Sequence, residues 1–213
     1  MREHREGSLI TNGGVPDLRR RFLADVLRNA NNEAILRRLP SLGLPDAWLV
    51  AGCLFQTVWN LRCGRPADAG IRDYDIFYFD GSDLSADAEH HVDEQLRVCF
   101  ADLPVTLEAK NQARVHIWYP DYFGVPYEAS TCSRDGIDRF LVECTCVGLR
   151  TAPDGPELYA PNGLQALYEG LLRPNPRCDQ PALFAAKAAD YWKRWPWLRI
   201  RQNDNEACNG AGV

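Results

Sequence analysis

Apolar residues recur along this chain at two spacings, one that suits a helix and one that suits a strand. Behind Asp17, positions 18, 22, 23, 26 and 27 are apolar, and the pattern continues through Ile35 and Leu36 to Leu39. It predicts an amphipathic helical stretch over 18–39 whose arginines lie on the solvated face. Trp48 to Ala51 is short, apolar and followed by glycine, which marks a core strand, and Leu54, Val58 and Leu61 then form the inner stripe of a helix that Cys63-Gly64 ends. Ile76, Phe77, Tyr78 and Phe79 are strand formers on both faces, so the segment beginning at Asp73 reads as a buried strand. A helix over 84–100 turns Val92, Leu96 and Cys99 or Phe100 inward, and a strand over 105–109 follows.

Farther along, Lys110 to His116 is predicted as a short helix. Tyr119 to Asp135, with its prolines, glycine and aromatics, is predicted as a long loop suited to a lid or acceptor platform. Glu143 to Leu149 alternates as a strand does, and the turn Thr151 to Pro156 makes a hairpin with the segment beginning at Glu157. Asn162 starts a helix over 163–172. A last helix begins with Pro181 at its first position and ends at Trp195-Pro196, where Trp192 and Trp195 share a face that anchors it to the core. The result is an α+β fold, a mixed β-sheet flanked by helices, with one domain over 1–200 and a polar tail over 201–213.

Composition narrows the classes. A chain of 213 residues with 46% hydrophobic content can bury one substantial core. A net charge of -5 argues against a broad basic footprint for duplex nucleic acid. The amino terminus, Met1 to Gly7, is charged and lacks the apolar core of a signal peptide, and no apolar run is long enough to span a bilayer, so no membrane association and a cytoplasmic location are expected. The eight cysteines are scattered; Cys144 and Cys146 fall on one side of the expected strand without a second pair, and read as buried core thiols.

The candidate chemistry lies at Asp73 and Asp75. Residues i and i+2 of a strand point to the same face, which sets these carboxylates side by side with Cα atoms roughly 6.5–7 Å apart. Such a pair suits a two-metal phosphoryl-transfer site, with Mg²⁺ or Mn²⁺ bound through one or two carboxylates plus substrate phosphates. Asp-X-Asp also occurs at strand ends, where the carboxylates only accept backbone N–H bonds; the buried strand behind this pair favours the metal. Arg72 is placed to reach a phosphate or to pair with Asp73 or Asp75, Arg65 reads as solvated, and Asp80 before Gly81 reads as a turn residue. Lys110, Asn111 and Gln112 form a polar cluster at a strand exit, a place that commonly lines sites in α/β proteins and suits contact with nucleotide or acceptor; capping and packing roles are the other reading.

Two segments, Val50-Ala-Gly-Cys-Leu-Phe-Gln-Thr-Val-Trp-Asn60 and Ile71-Arg-Asp-Tyr-Asp-Ile-Phe-Tyr-Phe-Asp80, make the chain resemble uncharacterised bacterial nucleotidyltransferase-like proteins of the polymerase-β-type superfamily. Lys110 to His116, Ala160 to Leu164, Leu172 to Pro176 and Lys193 to Trp197 extend the likeness over about 48–198. The resemblance implies the nucleotidyltransferase fold, with Gly52 and Cys53 at the glycine turn that cradles the triphosphate and Asp73 and Asp75 as metal ligands. It puts a third carboxylate on the next strand, where Glu108 sits between apolar neighbours; a surface strand residue is the other reading of that position. Cys53 departs from the usual glycine or serine. The implied activity is transfer of a nucleoside monophosphate from an NTP to an unidentified hydroxyl acceptor. A catalytically inactive nucleotide sensor, or a toxin–antitoxin-type protein with a partner protein, remains an alternative on the same fold.

Overall fold

The computed structural model describes residues 17–201. The charged amino-terminal segment and, beyond Arg201, the tail expected over 201–213 lie outside the described residues. The chain opens with α1 (Leu18–Val26) and α2 (Ala30–Arg38), two helices where the apolar pattern predicted one stretch. The break has a polar cause. Asn29 caps α2 by accepting from the Asn31 backbone N–H at 3.1 Å, and Asn32 Nδ2 donates to the Val26 carbonyl at the end of α1 and to the Cys53 carbonyl, at 3.1 and 3.0 Å. Side-chain amides that satisfy helix ends stop a periodic pattern that apolar spacing alone would continue.

The central sheet runs β3-β2-β1-β4-β5, from β1 (Trp48–Val50), β2 (Asp73–Tyr78), β3 (Thr106–Asn111), β4 (Gly148–Ala152) and β5 (Gly155–Tyr159). β2 and β3 are parallel and the other neighbours antiparallel, which makes the sheet mixed as expected. Between the strands run α3 (Gly52–Arg62), α4 (Ala86–Cys99), α5 (Val115–Phe123) and α6 (Ser133–Ile137). The chain closes with α7 (Gln165–Glu169), β6 (Leu171–Leu172), α8 (Pro181–Arg194) and β7 (Arg199–Ile200).

Register divides the sheet into two faces. Leu49 opposes Ile76 and Leu149, and these residues with Tyr74, Tyr78 and Ala109 enter the main core, together with Phe22, Val26, Leu54, Val58 and Leu96. On the other face, Val50 opposes Asp75 and Trp48 opposes Phe77. Here a second, smaller apolar cluster of Trp48, Val50, Ile137 and Cys146 leaves room beside β2. At the edge, α4 shields β3 by accepting its outward N–H groups: Ala109 donates to Asp93 and Asn111 to Glu89, at 2.7 and 2.8 Å.

Further sequence expectations change, among them the helix over 163–172, which is confined to α7 and gives way to β6. Lys110 and Asn111 belong to β3, and the helix starts only at Val115, because the parallel ladder with β2 continues to the Tyr78–Asn111 pair. The expected loop over 119–135 holds the end of α5 and the start of α6. Glu143–Thr145 is a 3-10 turn instead of a strand, so the buried Cys144 and Cys146 do not share a strand face; the hairpin itself forms, by β4 and β5. Trp192 is half-exposed whereas Trp195 is buried, since Trp195 already leaves helical geometry with φ -133° and ψ 83°. Among the described residues no helix is long and apolar enough to cross a membrane.

Candidate active site

A cavity of about 480 Å³ opens on the second face of the sheet, with Asp73 and Asp75 in its lining. Their strand positions put both carboxylates on this face, while Tyr74 and Ile76 between and after them are fully buried in the main core. Asp73 is exposed and Asp75 partly buried. Burial first, and then the nearby Glu108 and Asp73 carboxylates, raise the Asp75 carboxyl from its ordinary 3.8 to about 6, against the pull of Lys110 and Lys187. An acid held that high shows how costly its negative charge is here, and a cation beside it would remove that cost.

The structure places Glu108 next to Asp75 in the parallel ladder, on the same face. Its carboxylate lies 3.7 Å from Lys110 Nζ and is 48% exposed, and it does not line the cavity. Among the described residues no three His, Cys, Asp or Glu side chains converge as a metal-binding group. The Asp73–Asp75 pair therefore fits a cation that takes two protein carboxylates and completes its shell with substrate oxygens and water, whereas a fully protein-built cage does not form.

Above the carboxylates stands the N-terminus of α3. Gly52 opens the helix and lines the cavity beside Ala51, and no side chain caps this end. The first N–H groups of a helix lack intrahelical acceptors, and with the helix dipole behind them they attract anions. The sharp backbone turn falls one residue before the expected Gly-Cys pair: Ala51 has φ 58° and ψ -125°, a conformation that favours glycine. Cys53 faces the opposite way, fully buried, with Sγ 3.4 Å from the Val50 carbonyl. Burial, with Asp75 nearby, pushes its thiol well above the ordinary value, so the neutral Cys53 side chain packs in the core and its place at the site is limited to the backbone.

Of the polar cluster after β3, Lys110 and Gln112 line the cavity and Asn111 does not. Asn111 is buried and occupied on both ends: Nδ2 donates to the Asp80 carbonyl at 2.8 Å, and Oδ1 accepts from the Asp80 and Ala113 backbone N–H groups at 3.0 and 3.1 Å. It braces two loops and stands outside the cavity lining. Asp80 also accepts from the Ser82 backbone N–H at 2.8 Å, which confirms its turn role. Gln112 Nε2 donates to the Lys110 carbonyl at 3.3 Å, and Gly136 of α6 packs so close that a Cβ there would lie 2.0 Å from Gln112 Oε1.

The far wall of the cavity comes from α8, which sequence reasoning treated only as an anchor. Lys187, Asp190 and Arg194 all line the cavity. Their spacing of three and four residues gathers them on one helical face, a signal present in the sequence and overlooked for the tryptophans nearby. What holds α8 there is an aromatic stack: Trp59 of α3 meets Tyr191 and Trp195 with centroids 5.3 Å away in each case, and Trp195 Nε1 donates to Asn60 Oδ1 at 3.0 Å. Such contacts contribute about 0.5–1.5 kcal/mol each beyond the area they bury. Arg72 also lines the cavity, and it forms no ion pair with Asp73 or Asp75. Arg65 is exposed, as expected of a solvated residue, yet Nη1 donates to the Arg194 carbonyl at 2.9 Å. An aromatic side of the cavity is formed by Phe77, Trp118, Tyr119, Tyr127 and Phe140.

A mixed sheet carrying paired carboxylates beside an uncapped helix N-terminus, in a cavity edged by cations, has the features of a phosphate-handling site. The comparisons agree with that class. The family model of nucleotidyltransferases matches residues 37–200, and the chain belongs to that family. Its fold is similar to a solved NMR structure described as a CCA-adding enzyme head domain, with a TM-score of 0.71 and 28% identity over 86% of this chain and 96% of that one. Comparison with curated proteins returns no match.

Proposed function

We propose that the protein transfers a nucleoside monophosphate from an NTP to a hydroxyl acceptor, with a divalent cation, Mg²⁺ or Mn²⁺, held by Asp73 and Asp75. The observation that carries this reading is the placement of the two carboxylates on one strand face directly beside the uncapped N-terminus of α3, inside the cavity. The acceptor oxygen would form a bond to the α-phosphorus as the bond from phosphorus to the β-bridging oxygen breaks. The electron pair leaves with pyrophosphate, and the hydroxyl proton passes to solvent. When bound, the cation would supply charge neutralisation at the phosphate oxygens and orient them. Gly52, lacking a side chain, lets the α3 N–H groups approach a phosphate, and Lys110 offers a positive charge from β3. Most of the acceleration would then come from positioning and fixed charge. Family membership and the likeness to a structure described as a CCA-adding enzyme head domain support nucleotidyl transfer in general. A cytoplasmic location, where NTPs are supplied, belongs to this proposal.

Calorimetry with ATP, GTP, CTP and UTP, with and without Mg²⁺, tests it on the wild type and on an Asp73→Asn/Asp75→Asn double variant. Metal-dependent binding that the double variant loses is expected. A folded wild type that binds none of the four would refute the proposal. One observation favours a second reading: Glu108 is paired with Lys110 and outside the cavity lining, so a third carboxylate is not assembled. A nucleotide-binding sensor without transfer would show binding as above and no pyrophosphate release with any acceptor.

A further inference from the structure

The geometry points to α8 as the clamp for the donor's polyphosphate tail, with Lys187 and Arg194 gripping the β- and γ-phosphates across the cavity from Asp73 and Asp75. This assignment rests on the nucleotidyl-transfer reading and adds to it which residues select a triphosphate over a monophosphate.

Arg194 is the better anchored of the two. Its Nη2 donates to Gln56 Oε1 of α3 at 2.8 Å and to the Gly70 carbonyl, just before β2, at 2.9 Å. One guanidinium thus ties the helix whose N-terminus faces the cavity to the loop that leads into Asp73. Nη1 and Nε make no hydrogen bond among the described residues and stay available as donors. A guanidinium fixed at one nitrogen presents the others with little loss of side-chain freedom, and its planar fork suits phosphate oxygens. Burial holds Arg194 below the ordinary arginine value, and Arg72 and Arg65 add to this by repulsion, against the pull of Asp190.

Lys187 is exposed and lies one helical face away from the core, with Nζ 5.5 Å from the centre of the Tyr191 ring. It lines the same cavity as Asp75, as Lys110 does from β3. Among the described residues, Arg65, Arg72, Lys187 and Arg194 have no carboxylate within ion-pair distance, although the chain as a whole is acidic. Unpaired cations crowded at one mouth of an acidic protein repel one another, and the field they create draws a polyanion to this site.

The experiment compares tripolyphosphate, ATP and AMP by calorimetry in Mg²⁺, on wild type, Lys187→Gln, Lys187→Arg and Arg194→Lys, with thermal melts to confirm folding. The expected result for Lys187→Gln is about tenfold weaker binding of ATP and tripolyphosphate, AMP unchanged, and a shallower salt dependence. Lys187→Arg keeps most of the affinity, and Arg194→Lys loses the fork and weakens both polyphosphates. Undiminished ATP binding by a folded Lys187→Gln would overturn the clamp and leave the transfer reading standing. Tripolyphosphate binding that depends on both cations, in a protein that binds no NTP, would overturn the transfer reading and with it the clamp's role at a nucleotide donor. A wild type that binds neither ligand overturns both.

Discussion

Replacing Asp75 with asparagine should make the metal-free protein more stable while it removes the proposed cation site. In the folded chain this carboxyl titrates at about 6, against its ordinary 3.8, mainly because burial opposes its charge. The sign follows directly. A carboxyl whose folded value is raised favours the folded state when protonated, and that contribution is lost as pH rises from 3.8 through about 6. At 1.36 kcal/mol per pH unit the interval corresponds to about 3 kcal/mol, and solvent screening at this partly buried side chain reduces it to about 1–2 kcal/mol. Asparagine cannot ionise and keeps that stability at neutral pH. For a chain of this length each kcal/mol moves Tm by about 2–4 °C, so Asp75→Asn should melt about 2–8 °C above wild type at pH 7.5 in EDTA. The gap should shrink steeply at pH 4.5. Added Mg²⁺ should raise the wild-type Tm and leave the variant unmoved, because only a folded state that binds the ion gains from it. A variant no more stable than wild type in EDTA at pH 7.5, or an advantage that persists unchanged at pH 4.5, would refute the reasoning.

Other consequences are nearer the backbone. Ala51→Gly should stabilise the protein by about 0.5–2 kcal/mol in urea denaturation, the strain of a positive φ outweighing the entropy cost of glycine; a loss of stability would show the turn is not strained. Asn32→Ala removes two buried bonds, to the carbonyls of Val26 and Cys53, and should cost about 2–3 kcal/mol with the denaturant slope unchanged. A cost below half a kcal/mol would mean that water replaces both. Gly136→Ala drives a methyl against buried Gln112 and should lower stability by about 1–3 kcal/mol and weaken nucleotide binding, as read by melts and calorimetry. Wild-type values for both would place α6 farther from β3 than the structure does.

The strands that carry the carboxylates were legible because their information is local. The run of strand formers from Ile76 to Phe79 marks a buried strand, and spacing of two puts Asp73 and Asp75 on one face without reference to anything distant. The limits appeared where tertiary partners decide. Lys110 and Asn111 look helical in isolation and are strand because β2 offers them a parallel ladder. The break between α1 and α2 depends on where Asn32 finds acceptors, one of them in α3. Asn111 could not be separated from Gln112 by type or spacing, since only the path of the Asp80 loop assigns it a bracing role. The Gly-Cys turn was placed one residue late because a non-glycine at positive φ is what a sequence gives least reason to expect. The cations of α8 were missed for a different reason: their face is plain from spacing, and which surface it meets depends on Trp59 packing from more than a hundred residues away.

Because side chains alternate strictly along β2, the core and the site are specified by the same six residues. Tyr74, Ile76 and Tyr78 are buried against the helices, and Asp73, Asp75 and Phe77 turn to the cavity. A one-residue slip would drive both aspartates into the apolar core, which no register could tolerate, so the cost of the paired charges on one face itself helps to select the correct pairing. Hydrogen bonds reinforce that choice at the end of the strand nearest the carboxylates: the Tyr74 hydroxyl accepts from Asn29 Nδ2 at 3.1 Å and from Asn31 Nδ2 at 3.2 Å. The same Asn29 caps α2 and donates to Thr57 of α3 at 3.1 Å. One polar network beneath the sheet therefore locates the strand bearing Asp73 and Asp75 relative to the helix whose N-terminus faces them. The site can hold an unfavourable carboxylate pair in position because the opposite face of the strand is packed and hydrogen-bonded strongly enough to keep it there.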